Sequence, residues 1–276
     1  MRRGKLSLCL IVTCVAVSFL LDLWSKGEEE TRKEDVSTST IGQSFDNLDW
    51  GIPSKEYEII ERKGYSLGYD ESIEQARWVS YRLTASEVTN KVASRTGDFR
   101  VDPKVSTGSA ALEDYKRSGY DRGHLAPAAD MAFSHETMSE SFYMSNMSPQ
   151  RPAFNRGVWQ KLESTVRRFA INEESITVIT GGIFIEDEEP IYIGINKVRV
   201  PEFFYKVILD ETPPRKMIAF ILPNKGSKKQ LDKFVVSVDD VEEATGLDFF
   251  STLEYNEECE LEAESNINQW GFYIRR

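Results

Sequence analysis

The chain has 276 residues, 40% apolar and 29% charged, with a formal charge of −11, three cysteines and two histidines. That balance excludes a collagen-like fibre, a wholly disordered chain and a polytopic membrane protein, and the length suffices for one large or two small folded domains. Net acidity argues at first sight against a polyanionic partner, but eleven acids against two bases fall in residues 239–276, so the rest of the chain is nearly neutral and can present a local basic surface.

The N-terminus opens Met-Arg-Arg-Gly-Lys and then runs uncharged from Leu6 to Leu21. A basic start before an apolar run reads as a signal peptide or an uncleaved signal-anchor over residues 1–24, with an N-terminal membrane segment in the second case. No small-residue cleavage pattern follows, which leaves both readings open. A mitochondrial presequence is the third, although such a segment is normally Arg-rich and amphipathic. Positive-inside logic places the remainder of the chain outside the cytoplasm (periplasmic, secreted or anchored facing outward), with the mitochondrion as runner-up. Cys9 and Cys14 fall inside the apolar run and Cys259 stands alone beyond it, which excludes an internal disulfide or a cysteine metal site in the remainder. Residues 25–46 are polar and charged, as a linker is. The folded domain is expected over 47–276, with an acidic segment from 239.

Strand-like runs follow at 77–83, 141–147, 175–184, 191–200, 203–209 and 216–222. The clearest helix is 155–170, where Val158, Leu162, Val166 and Phe169 recur at helical spacing and Asn155 takes the N-cap position. A second helix is expected around 228–245. The pattern is α+β, with a mixed or antiparallel central sheet and flanking helices.

Two histidines leave few candidates for proton transfer near neutrality. His135, in Phe-Ser-His-Glu-Thr, reads as an exposed loop or helix-cap residue. His124 lies in Gly-Tyr-Asp-Arg-Gly-His-Leu-Ala-Pro, where Gly123 permits a close backbone approach and Asp121 and Arg122 bring both charges near the imidazole. Taken alone, a histidine in such a turn is more often structural than catalytic. Ser-Asn-Met-Ser-Pro-Gln (145–150) then reads as a strand entering a turn, Asn155 as the mouth of the helix, and Glu163 as a residue eight positions along it. In a regular helix Asn155 and Glu163 would sit about 80° apart in rotation and about 12 Å apart along the axis. Between Arg151 and Arg168 five bases meet Glu163 alone. Arg151 and Arg156 flank Asn155 and are the better phosphate-contact candidates, whereas Arg167 and Arg168 also fit a solvated helix face. Trp159 could stack on a base, but its helical spacing with Leu162 favours the core.

Asp121-Arg-Gly-His124, Asn146 in Ser-Asn-Met-Ser-Pro-Gln, and Asn155 followed by Arg156-Gly-Val-Trp-Gln-Lys-Leu-Glu163 together resemble the DNA/RNA non-specific endonucleases, the ββα-metal or His-Me finger family. The similarity spans about residues 60–250 and implies a ββα-metal motif. It implies His124 as general base, Asn155 as the direct protein ligand of Mg²⁺ (or Mn²⁺ or another divalent cation), and Glu163 as holder of metal-bound water. It also places Asn146 and Arg122 at the site, and an upstream phosphate-binding arginine that is either Arg95 or Arg100. The reaction so implied is metal-dependent hydrolysis of phosphodiester bonds in DNA and RNA, without sequence or sugar specificity, leaving 5′-phosphates. Homodimerisation is a further expectation. Two alternatives stand beside it: a nucleic-acid-binding module without catalysis, and a phosphodiesterase acting on small nucleotides.

Overall fold

The computed structural model of the chain describes residues 46–186 and 189–271. In chain order its strands are β1 (Glu58–Glu61), β2 (Ser66–Asp70), β3 (Gln75–Thr84), β4 (Asp121–His124), β5 (Met147–Gln150), β6 (Ser175–Ile183), β7 (Tyr192–Ile193), β8 (Val198–Arg199), β9 (Phe203–Asp210), β10 (Lys216–Pro223) and β11 (Val235–Val236). Its α-helices are α1 (Ala85–Thr89), α2 (Leu112–Tyr115), α3 (His135–Glu140), α4 (Gln160–Glu173), α5 (Val238–Thr245) and α6 (Tyr255–Glu262). The expected signal or anchor and nearly all of the linker lie outside the described residues. Among the described residues no helix is long and apolar enough to cross a membrane.

Seven strands form one sheet in the order β1-β2-β3-β6-β9-β10-β11. Every neighbouring pair is antiparallel, so of the two expected sheet types the antiparallel one is found. Both faces are covered, and the period-two alternation shows how. On β9, Phe204 and Ile208 join the core beneath α4 with Leu162, Val166 and Phe169, while Tyr205, Val207 and Leu209 join the core beneath α5 with Val238 and Val241. The result is a helix–sheet–helix sandwich. Capping boxes start α1 (Thr84 with Glu87) and α5 (Ser237 with Asp240), and Gly246 ends α5 in the left-handed region that glycine adopts at no steric cost.

Three expected elements differ. Residues 141–147 are not a strand. The chain there leaves α3 through a 3₁₀ turn (Met144–Asn146), and the strand is β5, which pairs with β4 in the register His124↔Met147 to Asp121↔Gln150. Phe142 and Met144 are apolar because they are buried, not because they alternate in a sheet. The run 191–200 is split by a turn into the β7–β8 hairpin. The expected helix 228–245 begins only at Val238, after a 3₁₀ turn and β11. The acidic segment from 239 carries core residues as well: Val241, Leu247, Phe249 and Phe250 complete the core on the α5 side of the sheet.

Candidate active site

The ribbon β4–β5 and the helix that follows it carry the chemistry. On β4, Arg122 and His124 are two residues apart and share a face. Gly123 between them has a physical requirement: a Cβ there would lie 2.2 Å from the side chain of Gln150. The close approach foreseen at this glycine is thus the packing of the two strands of the ribbon.

Asn155 does not cap α4. Helical backbone already starts at Pro152, and residues Phe154–Trp159 form a π turn in which Gly157 departs from helical geometry (φ −119°, ψ −107°). The extra residue changes the expected geometry. Eight residues of regular helix rotate by about 80° beyond two turns, whereas looping out one residue leaves an effective seven and about −20°. Asn155 and Glu163 therefore line the same cleft.

That cleft has a volume of about 390 Å³ and brings together Arg95, Arg122, His124, Asn155, Arg156, Gln160, Glu163 and Arg167. A larger depression of about 630 Å³ lies beside Pro213 and Pro214 but contains no histidine, and its lysine, Lys216, is already paired with Glu173 and Asp210.

His124 is 7% exposed, and its Nε2 is buried without a hydrogen-bond partner. Phe142 stands edge-on to the imidazole at 5.0 Å and Phe99 at 5.8 Å. Arg95 lies over the Phe142 ring and Arg122 over the Phe99 ring. Burial between the two rings, reinforced by the positive charges of Arg95 and Arg122, pushes the imidazole down to about 3. The histidine is therefore neutral at physiological pH, the form that accepts a proton.

Asn155 Nδ2 donates to Asp121 Oδ2 at 3.0 Å. Only the NH₂ end of an amide can donate to a carboxylate, so this contact turns Oδ1 away from Asp121. The Asp121 carboxylate is fixed in turn by the two-pronged ion pair from Arg156 (2.8 and 2.6 Å) and is held below the usual carboxylate range by these contacts, against the cost of its partial burial. An amide oxygen on a fixed side chain, with Glu163 along the same wall, is a hard oxygen donor set. It fits a divalent cation that keeps most of its waters.

Burial pushes the Glu163 carboxyl up to about 7, opposed by the charges of Lys206, Arg167 and Arg95. Lys206 lies on the α4 face of β9, fully buried, with Nζ 5.0 Å from the Trp159 ring centroid. Burial pushes its ammonium down, with Glu163 as the main opposing charge.

Of the residues expected at the site, His124, Arg122, Asn155, Arg156 and Glu163 converge on the cleft. Two do not. Asn146 is fully buried and its amide is saturated, donating to Ala126 O and Ser141 O and accepting from Ala126 N, each at 2.9 Å. It shapes the loop after His124 and has no surface for substrate. Arg151 is exposed over Tyr120 and lines a separate depression with Asn224 and Lys225. Of the two upstream arginines, Arg95 lines the cleft. Arg100 is occupied by Asp98, by Ser139 and by the Tyr143 ring, away from the cleft. Arg167, which also fitted a plain helix face, lines the cleft on a buried Asp130 (2.6 Å) that also accepts from Tyr81. Its place among the five bases between Arg151 and Arg168, one helical turn beyond Glu163, is the signal that marks it. Trp159 is fully buried against Phe154 and Phe204, as its spacing favoured, and His135 is exposed at the start of α3.

Comparison with known proteins gives a consistent family. The sequence profile of the DNA/RNA non-specific endonucleases matches residues 44–256. The mouse protein named Nuclease EXOG, mitochondrial, is 34% identical over 221 residues, covering 74% of this chain and 60% of its own length. Nuclease C1 of Cunninghamella echinulata var. echinulata is 36% identical over 228 residues, covering 75% and 88%. Human Endonuclease G, mitochondrial, is 33% identical over 213 residues, covering 72% and 71%. The chain thus spans less than two thirds of the mouse relative and most of the fungal one. A chain of the crystal structure of the EndoG/EndoGI complex superposes with a TM-score of 0.71 at 33% identity, covering 80% of this chain and 95% of that one.

Proposed function

Because the chain belongs to the DNA/RNA non-specific endonuclease family, we propose that it is a divalent-metal-dependent phosphodiester hydrolase that cleaves DNA and RNA internally, without sequence or sugar preference, and leaves 5′-phosphates. The observation that carries this reading is the neutral, ring-walled His124 in one cleft with the fixed Asn155 amide and four arginines.

The chemistry follows from the groups present. A phosphodiester is anionic and resists attack by neutral water. Neutral His124 takes the proton of a water aligned with phosphorus. Arg95 and Arg122, which pair with no carboxylate among the described residues, bind the non-bridging oxygens through charge-assisted hydrogen bonds. Arg156 and Arg167 add positive field while anchored on Asp121 and Asp130. Glu163 accepts hydrogen bonds from water beside Asn155. Asn155 Oδ1 is the residue oxygen that would hold Mg²⁺, Mn²⁺ or a similar cation, which when bound offsets charge developing on the leaving 3′-oxygen. Contacts confined to phosphate carry no sequence information, which accounts for the lack of base preference.

The mitochondrial names of several relatives favour the mitochondrial reading of the N-terminus, while the extracytoplasmic placement rests on residues 1–24 alone. The domain limits, with folding from about residue 47, and homodimerisation belong to the same reading. A plasmid-nicking and RNA-cleavage assay, with and without EDTA and with His124→Ala, is the test. Metal-dependent cleavage of both substrates that disappears in the variant supports the reading. Undiminished cleavage by the variant overturns it.

A further inference from the structure

The C-terminal part of the chain holds a second polar cluster, remote in sequence from the cleft. Asp239 and Glu242 stand one turn apart on α5, and Glu262 ends α6, which packs against α5. One carboxylate oxygen from each lies within 4.8 Å of the other two. Glu262 is the unusual member. It is 6% exposed, and its Oε1 is buried with no hydrogen-bond partner. Glu242 is pinned from the other side, because its Oε1 accepts from the Phe249 backbone N–H at 2.7 Å.

The charges that act most strongly on Glu242 and Glu262 are all negative. They come from the members of the cluster and from Asp248 and Glu258. Arg215, just before β10, is engaged by Glu257. Burial and these neighbours push Glu242 up to about 7 and Glu262 up to about 8. A buried carboxylate oxygen without a donor, beside two more carboxylates and, among the described residues, no cation acting strongly on it, is costly unless something positive arrives.

We infer that Asp239, Glu242 and Glu262 form a binding site for a divalent cation of the calcium type, separate from the catalytic metal position. The geometry matches that ion. Ca²⁺ binds oxygens at about 2.3–2.6 Å, so two ligands on one ion can lie up to about 5 Å apart, and the 4.8 Å limit on the triad falls inside that span. Carboxylates can bind bidentately, and water fills the remaining positions from the Asp239 side, which is exposed. Because the site clamps α5 to α6, its occupancy would tie down the acidic segment that completes one face of the core.

Isothermal titration of the full chain with CaCl₂, paired with melting curves with and without calcium, tests this. Wild type is expected to show a site with Kd on the order of 10⁻⁴ M and a calcium-dependent rise in Tm. Asn155→Ala, which disables the proposed catalytic metal ligand, should keep both. Glu262→Gln, nearly isosteric and one charge poorer, should fold but weaken calcium binding at least about tenfold and lose the rise. Asp239→Asn, on the exposed member, should weaken it without any risk to the core. Mg²⁺-supported cleavage should be unchanged in Glu262→Gln, so failure here is separable from failure of the nuclease reading. Calcium binding unaffected by Glu262→Gln and Asp239→Asn, binding abolished by Asn155→Ala, or no binding by wild type at millimolar calcium would each overturn the inference.

Discussion

The catalytic cleft and the C-terminal triad are electrostatic opposites supported by helices on opposite faces of one sheet. In the cleft, four arginines meet Glu163 and a histidine held neutral. In the triad, carboxylates press on one another, and the charges acting most strongly on them among the described residues are all negative. Each region is partly self-compensated where the scaffold needs order. Arg156 rests on Asp121, Arg167 on Asp130, and Glu242 on the Phe249 amide. Each leaves some charge uncompensated where a ligand of opposite sign would sit. A formal charge of −11 sums these regions and so hides both. What decides whether a polyanion can bind is the local residue, not the total.

The sharpest way to break the comparison is at the neutral imidazole. His124→Ala should reduce kcat by at least about 10²–10⁴-fold, the usual contribution of a positioned base, while circular dichroism and Tm stay near wild type. The two candidate arginines separate next. Arg95→Ala should lose about 10–100-fold in kcat/KM, the scale of a lost charged hydrogen bond. Arg100→Ala should act through stability, because its partners are Asp98, Ser139 and Tyr143. Equal losses of cleavage at matched folded fraction would sink the assignment to Arg95. Phe142→Ala is subtler. Removing the ring that stands over His124 admits water and raises the imidazole pKa from about 3 toward 6.5. The acid limb of the kcat profile that belongs to His124 should move to higher pH, because more of the base is then protonated near neutrality. The same change opens a cavity costing about 3–5 kcal/mol, so the profile is to be read on the folded fraction.

How far these regions were legible in the sequence depends on what each signal is made of. The long strands β3, β6, β9 and β10 were readable because each carries a sustained run of strand-forming apolar residues. β5 was not, since Pro149 and four residues give no period, and apolar Phe142 and Met144 drew the strand upstream. His124 emerged from the scarcity of histidine and the spacing around it. The walls that keep it neutral, Phe99 and Phe142, come from distant segments that only the fold brings together. Asn155 and Glu163 were named, but a regular helix would set them apart, and the π turn that aligns them has no period to detect. Asn146 was placed at the site by the family resemblance, yet three local hydrogen bonds consume its amide. The acidic tail was counted as charge, whereas the alternation of Val238, Val241 and Phe249 with acids makes it core on one side and cluster on the other.

The smallest effect concerns stability against pH, and its sign distinguishes the cleft histidine from the triad. His124 is a base whose pKa is depressed in the fold, so its contribution is present above 6.5 and is lost as pH falls toward 3. Glu262 is an acid whose pKa is raised from 4.5 to about 8. The folded state then holds a proton that the unfolded chain has released, so its contribution is full below 4.5 and is lost as pH rises through about 8. Between pH 6.5 and 8 the cleft histidine is silent and the triad is not. Wild-type Tm measured in EDTA should therefore fall across that window, at about 2–4 °C per kcal/mol for a domain of this size class. In Glu262→Gln the fall should be shallower, with Glu242 and the cleft groups Glu163 and Lys206 still titrating in or near the window. Equal slopes for the two proteins would mean that Glu262 keeps its charge unopposed across the window, and the contrast drawn between the two regions would lose its acidic half.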